Sequence, residues 1–470
     1  MSKQAQARTD MLHGSLADKL FWFALPIAAS SMLQQLFNSA DVAVVGRFAE
    51  EGALAAVGSN TVLVNLLVNV FVGLSVGANV VISQAIGHRR TEEVGTVVHT
   101  AMLFSLFCGL GSMALGLLAS RPVLSWMGAP EDVLERAVLY LRLYCLGLPF
   151  IIPYNFGAAI LRSVGDTKRP MYTLIISGIL NVCLNLVFVI GFRMGVAGVA
   201  LATVLANLFN AAAVVVLLCR ETGFIQLRLR ELRIRRAVLG RLLRIGAPAA
   251  LQSAVFSLSN ICLQTAINGF GSSVVAGMTA AGSLEFFGFF IIGAFSQAAT
   301  TFAGQNYGAG QYRRCRKILR LCLAEAAGAC LALCMVFLVF RDFFLRIYTT
   351  DPLELEYAAL RLQVMAPLIF TTCTYDNTGS ALRGMGHSLV PALITVLGTV
   401  VFRVSWVYTV FPHWNTLASL LAVYPISWLL TGAMMVSYYF YVRRRCLRSD
   451  APDSEDGSGQ GDYGAETQGA

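Results

Sequence analysis

The chain has 470 residues, of which 56% are hydrophobic and 13% charged, with a mean hydropathy of +0.66. Soluble globular domains carry about 25% charged residues, so this chain lacks the charge to clothe a water-facing surface and lipid must solvate most of it. A formal net charge of +9 invites a nucleic-acid partner, but the basic residues collect in short segments between apolar runs, which assigns them to a membrane surface and excludes nucleic acid.

Residues 1–17 are polar and lack the apolar core of a signal peptide, so they read as a cytosolic N-terminal segment. A bilayer core of about 30 Å needs about 20 apolar residues per helix. Such runs begin near Leu20, Leu54, Val97, Ala137, Met171 and Val196 within residues 18–222, the expected N-terminal lobe. Six more begin near Ile245, Ser273, Leu319, Ala358, Leu389 and Thr416 within residues 245–446, the expected C-terminal lobe. The reading is an all-α membrane protein of twelve spans. Between the halves, residues 223–244 form a basic linker in which Leu227, Leu229, Leu232 and Ile234 stand among arginines. That spacing suits an amphipathic interfacial helix or a simple loop. Residues 447–470 are acidic, rich in Gly and Ser and expected to be a disordered tail.

The basic loop residues set the orientation. Arg89, Arg90, Arg162, Lys168, Arg169, the dense stretch from Arg220 to Arg244, the Arg313 to Arg320 cluster and the run from Arg443 to Arg448 all fall on one side. Both termini are therefore expected in the cytosol. The 11 cysteines form no CxxC pair and no zinc-spaced cluster, so they read as small buried hydrophobes.

The second half repeats the first at an offset of about 221 residues, as from Leu161 to Leu382. The run LRSVGDTKRP from Leu161 matches LRGMGHSLVP from Leu382, Ser83-Gln84 to Gly87 falls on Gly304-Gln305 to Gly308, and Pro26 matches Pro248. With six spans each, the halves cross the membrane in the same sense, which predicts a pseudo-twofold axis along the membrane normal and a substrate path between them.

Polar groups inside the spans carry the functional argument, because a charge at the bilayer centre costs at least about 2.5–3.5 kcal/mol. In the first span Gln34, Asn38 and Asp41 share one helical face; Asp41 either caps the helix end or belongs to a site. Ser177, Asn181 and Asn185 line the fifth span, Thr203, Asn207 and Asn210 the sixth, and Asn155 lies in the fourth. Such amides can be interhelical hydrogen bonds worth about 0.6–2 kcal/mol, or oxygen ligands for Na⁺, or part of a proton site. The second half carries Glu285, Asp376 and Arg403, and places Gln264 where the first has Asp41. Either Arg403 pairs with Glu285 or Asp376, or one acid stays unpaired to attract a cation. Pro26 can kink the first helix and so move Asp41. Phe37, Phe156, Phe286 and Phe287 are either core residues or cation–π contacts for a substrate.

Taken together, these marks resemble the multidrug and toxic compound extrusion (MATE) family of cation-coupled efflux antiporters, over about residues 15–445. The marks are the Pro26 helix ending in Asp41-Val-Ala-Val-Val-Gly46-Arg47, the run from Gly77-Ala78 to Ser83-Gln84, Leu161-Arg162 through Gly165-Asp166-Thr167-Lys168-Arg169-Pro170, Gly195-Val-Ala-Gly198, and Leu382-Arg383-Gly384. The resemblance implies two six-helix lobes in a V, exchange of an H⁺ or Na⁺ gradient for export of organic cations, drugs or toxic metabolites, and rocking between two access states. It further implies a first-lobe cation site made of a first-helix Asp, a fourth-helix Asn, an Asn-x-x-x-Asp pair and a sixth-helix Thr. Asp41, Asn155, Asn181 and Thr203 match, but Asn185 stands where the second carboxylate belongs. One carboxylate favours H⁺ over Na⁺. The resulting expectation is a monomeric antiporter of a bacterial cytoplasmic membrane, with cationic or amphipathic substrates and no cofactor beyond its coupling ion. The alternative is a lipid-linked saccharide flippase, which would have a more cationic cavity. A phosphate-cradling GxxxxGK[ST], a His-Glu-x-x-His and a serine elbow are all missing from the sequence, which argues against ATP drive and against an enzyme.

Overall fold

The computed structural model describes residues 10–48, 53–127, 131–414 and 416–446; the expected tail lies outside them. The described residues are helical throughout, with no strand, as hydrocarbon requires of a chain that must bond its own backbone groups. The first half consists of α1 (Ala17–Phe48), α2 (Ala53–Gly87), α3 (Thr91–Trp126), α4 (Glu131–Leu146), α5 (Leu148–Ser163), α6 (Lys168–Asn185) and α7 (Gly195–Arg220). The second begins with α8 (Arg236–Asn268), α9 (Ser272–Gly308), α10 (Tyr312–Val339) and the short α11 (Arg341–Leu345). It continues with α12 (Pro352–Met365), α13 (Cys373–Gly384), α14 (Leu389–Thr395), α15 (Phe402–Thr409), α16 (Phe411–Trp414) and α17 (Leu417–Cys446).

Ten of these helices, or joined helices, are long and apolar enough to cross a bilayer, and an eleventh span is a bent pair. That pair is α4 and α5, which meet at 45° where Gly147 and Pro149 interrupt the fourth run. The twelfth expected span, near Ala358, is not one apolar helix. It divides into α12 and α13 around Pro367 and a 3₁₀ turn over Ile369–Thr372. Neither piece approaches the roughly 20 residues a span needs, and Glu354, Arg361, Asp376 and Arg383 keep both polar. The fourth span of each half is thus broken.

The linker also differs from the amphipathic-helix alternative. Residues 223–235 hold only a 3₁₀ turn at Leu229–Glu231, and helix α8 already starts at Arg236. Ile225 and Leu227 are buried in the first half's core. The Arg228 amide donates to His99 Nε2 at 3.0 Å, and Thr100 Oγ1 donates to the Arg233 carbonyl at 3.1 Å. Ile225 and Leu227 anchor this strap in the first half and the two hydrogen bonds tie it to α3, while Leu229 and Ile234 stay exposed.

The apolar core falls into two clusters that follow the two halves, except that each half lends the start of its first helix to the other: Val238, Leu242 and Ile245 of α8 pack into the first half's core. Leu16, Leu20, Phe23 and Ile27 at the start of α1 pack into the second half's core, while Val44 and Val45 near its end pack into the first. The lobes meet through the last turns of α2, the first turns of α8 and the last turns of α9. A Cβ on Gly87 would stand 2.1 Å from the Gln305 carbonyl oxygen, and one on Gly308 would stand 2.4 Å from that of Gln84. No side chain fits at either place. Gln84 Nε2 donates to the Gly384 carbonyl at 2.8 Å and Gln305 Nε2 to the Ser163 carbonyl at 2.7 Å. Residues 84 and 305, 87 and 308, and 163 and 384 are related by the offset of 221. The contact is therefore reciprocal, and the pseudo-twofold axis passes between α2 and α9. Gly165 (φ +89°) and Gly386 (φ +93°) form matching left-handed turns just beyond the two acceptor carbonyls.

Candidate functional site

The first half gathers four of the expected residues into one chain of hydrogen bonds. Thr203 Oγ1 accepts from Asn181 Nδ2 at 3.4 Å, Asn181 Oδ1 accepts from Asn185 Nδ2 at 3.3 Å, and the same Nδ2 donates to Asp41 Oδ1 at 2.5 Å. Asn181 and Asn185 are buried, whereas Asp41 and Thr203 are half-buried. Helix α6 turns both amides to α1 and α7 because they are four residues apart. Directly after Asn185 the helix widens into a π segment over Leu186–Gly191, a distortion often found at functional positions. Asn185 Oδ1 is buried without a partner, and among the described residues no basic side chain joins the chain of bonds at Asp41. The cluster thus ends on one carboxylate and one idle carbonyl oxygen, an arrangement able to take a proton or a small cation.

Asn155 does not join. Its amide donates to the Ile151 carbonyl one turn back at 2.9 Å. Gln34 and Asn38 are exposed on α1 and stand apart from the cluster. Two residues unforeseen from the sequence are close: Tyr140 and Tyr144 of α4, stacked at 6.3 Å and within range of the Asp41 charge. Their i, i+4 spacing behind Ala137 was the available signal. Phe37 packs its ring edge against Gly178 of α6 and stays half-buried, whereas Phe156 is 1% exposed in the core and presents no free ring face.

The second half resolves the expected ion pair differently. Glu285 on α9 is paired with Arg361 on α12, through Nε to Oε1 and Nη2 to Oε2, both 2.8 Å. Asp376 on α13 accepts from Ser296 Oγ at 2.7 Å and lies 3.9 Å from Arg383. Arg403 pairs with neither acid. It is 2% exposed, donates from Nε to Ser427 Oγ at 3.0 Å and from Nη1 to Asn260 Oδ1 at 3.4 Å, and lies 4.8 Å from the Tyr424 ring centroid and 5.6 Å from that of Phe256. The reason is placement: Arg361 on α12 meets Glu285 across from α9, and Arg383 lies two turns after Asp376 on α13 itself, so these two arginines, which the sequence reading did not offer as partners, reach the acids first. Gln264 is exposed and donates to Asn268 Oδ1 at 3.0 Å, outside this network. Pro26 is buried within the continuous α1, among residues that pack into the second half's core; its carbonyl accepts from Ser30 Oγ at 2.7 Å.

The MatE family model matches twice, over residues 26–187 and 248–409, the two halves in turn. A probable multidrug resistance protein, YoeA of Bacillus subtilis, is 28% identical over 90% of this chain and 93% of its own. An FAD transporter of Shewanella oneidensis is 24% identical over 93% of this chain and 97% of its own. The fold superposes with a TM-score of 0.86 on an outward-facing MATE transporter of the MOP superfamily, at 24% identity and covering 94% of this chain and 98% of that one. The double match to a membrane-transporter model, on a multi-pass helical bundle of two repeated halves, establishes that the chain belongs to the multidrug and toxic compound extrusion (MATE) family.

Proposed function

We propose that the protein is a secondary antiporter that exports organic cations in exchange for H⁺ across the cytoplasmic membrane, with both termini on the basic, cytosolic side. The observation that carries this reading is the hydrogen-bonded run from Thr203 to Asp41, which ends on a single carboxylate without a basic partner. Protonated, Asp41 can donate to the idle Asn185 Oδ1 once that amide turns over; ionised, it accepts from Nδ2 as seen. One proton therefore exchanges one bonding pattern for another between α1 and α6. Na⁺ would ask for more oxygen charge than one carboxylate and two amides supply.

Pro26 supports a mechanical link. It removes one backbone bond in the part of α1 that packs into the second half's core, well ahead of the part that packs into the first half's, so bending there would move Asp41 against Asn185. The test is dye efflux in everted vesicles with pH and Na⁺ jumps applied separately. A response to pH alone, lost in Asp41→Asn, is expected; a response to Na⁺ alone would overturn the proton reading.

Arg403 favours a second reading of the substrate. It is a buried arginine of the second half whose charge no carboxylate offsets among the described residues, and Asn260 beside it is exposed. A substrate bearing an anionic group as well as a cation would suit that charge. The relative named an FAD transporter is consistent with it. Competition of an acidic and an esterified form of one dye for efflux separates the two readings.

A further inference from the structure

A cavity of about 200 Å³ opens on the second half between the first turns of α10 and the last turns of α17. Three arginines line it: Arg316 and Arg320 from α10 and Arg443 from α17. Arg320 is exposed, and neither it nor Arg443 has an acidic partner among the described residues. The three guanidinium groups lie close enough to act together on the buried Tyr439 hydroxyl between them. Three like charges around one hollow repel each other, and the wall itself contains no acidic side chain.

The rest of the wall has the opposite character. Leu319, Leu323, Val436 and Phe440 form its sides, with Phe440 49% exposed toward the surroundings of the bundle. At its back stands Thr378 of α13, 1% exposed, whose Oγ1 has no hydrogen-bond partner. A buried hydroxyl without a partner costs free energy, and here it borders the hollow. The nearby acid on α10, Glu325, does not line the cavity and feels Asp18 of α1 instead.

We propose that this cavity holds the headgroup of an anionic phospholipid of the cytosolic leaflet. The phosphate would meet Arg316, Arg320 and Arg443 within reach of the Thr378 hydroxyl, and the acyl chains would run along the leucines, Val436 and Phe440 into the bilayer. Each element of the wall then has its counterpart in the ligand. The volume is below the ~300–1,000 Å³ of pockets that engulf a whole small molecule, as fits a headgroup whose tails stay in lipid. Basic pockets between spans on the cytosolic side are the usual setting for such headgroups. A free phosphate would use the arginines but would gain nothing from the apolar walls. Naming the cytosolic leaflet rests on the orientation proposed above; the site itself does not.

The test is the melting temperature of the purified full chain in phosphatidylcholine nanodiscs, compared with nanodiscs containing phosphatidylglycerol. The wild type is expected to melt several degrees higher with phosphatidylglycerol, and the R320Q/R443Q variant to lose most of that shift while melting normally in phosphatidylcholine. The R444Q/R445Q variant removes the same charge beside the cavity without touching its wall, and should keep the shift. Equal loss in both variants would mean general surface attraction and would overturn the site. So would an unchanged shift in R320Q/R443Q, or a full shift produced by inorganic phosphate alone. If R320Q/R443Q fails to fold, the R320K/R443K variant, which keeps charge but loses the forked donors, should show a reduced shift; a full wild-type shift in that variant would count against the site. None of these readings depends on transport, so failure of the antiport reading leaves the result interpretable.

Discussion

Asp41 and Asn185 were both legible as residues from the sequence, because an acid and a run of amides inside apolar spans stand out against lipid. Their partnership at 2.5 Å was not, since it depends on how α1 lies against α6. If Asn185 is the partner of a proton-carrying Asp41, Asn185→Asp gives the site a second carboxylate and should make efflux respond to a Na⁺ jump where the wild type does not; vesicle dye efflux reads this directly. The pair of Glu285 and Arg361 was missed because the two are 76 residues apart and Arg361 reads as the polar face of a short helix. Breaking such a buried pair from one side typically costs about 3–5 kcal/mol. Glu285→Gln should therefore lower the melting temperature of the purified protein strongly, and E285Q/R361Q should recover part of the loss by removing the orphaned charge.

At the scale of elements, hydropathy located the continuous spans but not the breaks in the fourth span of each half. A run of about 20 apolar residues is recognised by composition alone. The α12–α13 segment is held by neighbours that satisfy its charges, which composition does not reveal. The π segments at Leu186–Gly191 and Val396–Val401, adjoining Asn185 and Arg403, were equally invisible, because an extra residue per turn leaves no mark on the side-chain pattern. Two predictions belong here. A side chain at Gly308 would strike the Gln84 carbonyl, so Gly308→Leu should hold the basic end of the lobes apart. Losing both Gln84 and Gln305 removes two hydrogen bonds, one buried and one part-buried, worth ~1 kcal/mol each, enough to shift the balance of access states by roughly thirtyfold. In both variants, electron-spin distances between labels on Arg89 and Lys317 should lengthen relative to the wild-type background.

At the scale of the whole molecule, the repeat is both the most legible feature and the least complete description. The offset between halves predicted equivalence, and the reciprocal bonds of Gln84 and Gln305 at the α2–α9 crossing obey it. The charges do not. The first half has Asp41 without a counter-ion, while the second has two compensated acids and Arg403 in excess. Efflux driven by the first half and substrate choice set by the second would follow, so Arg403→Gln should change which dyes compete without removing the pH response.

What the sequence by itself determined is the solvent of the protein, its helical class, its two-fold repeat and the identity of its intramembrane acids. Those follow from transfer free energies and from spacing along one chain, which are local or additive. The tertiary structure alone decided which arginine meets which acid, which spans are broken and where the lobes lock. Those depend on groups far apart in sequence competing for the same partner, and the nearest in space wins.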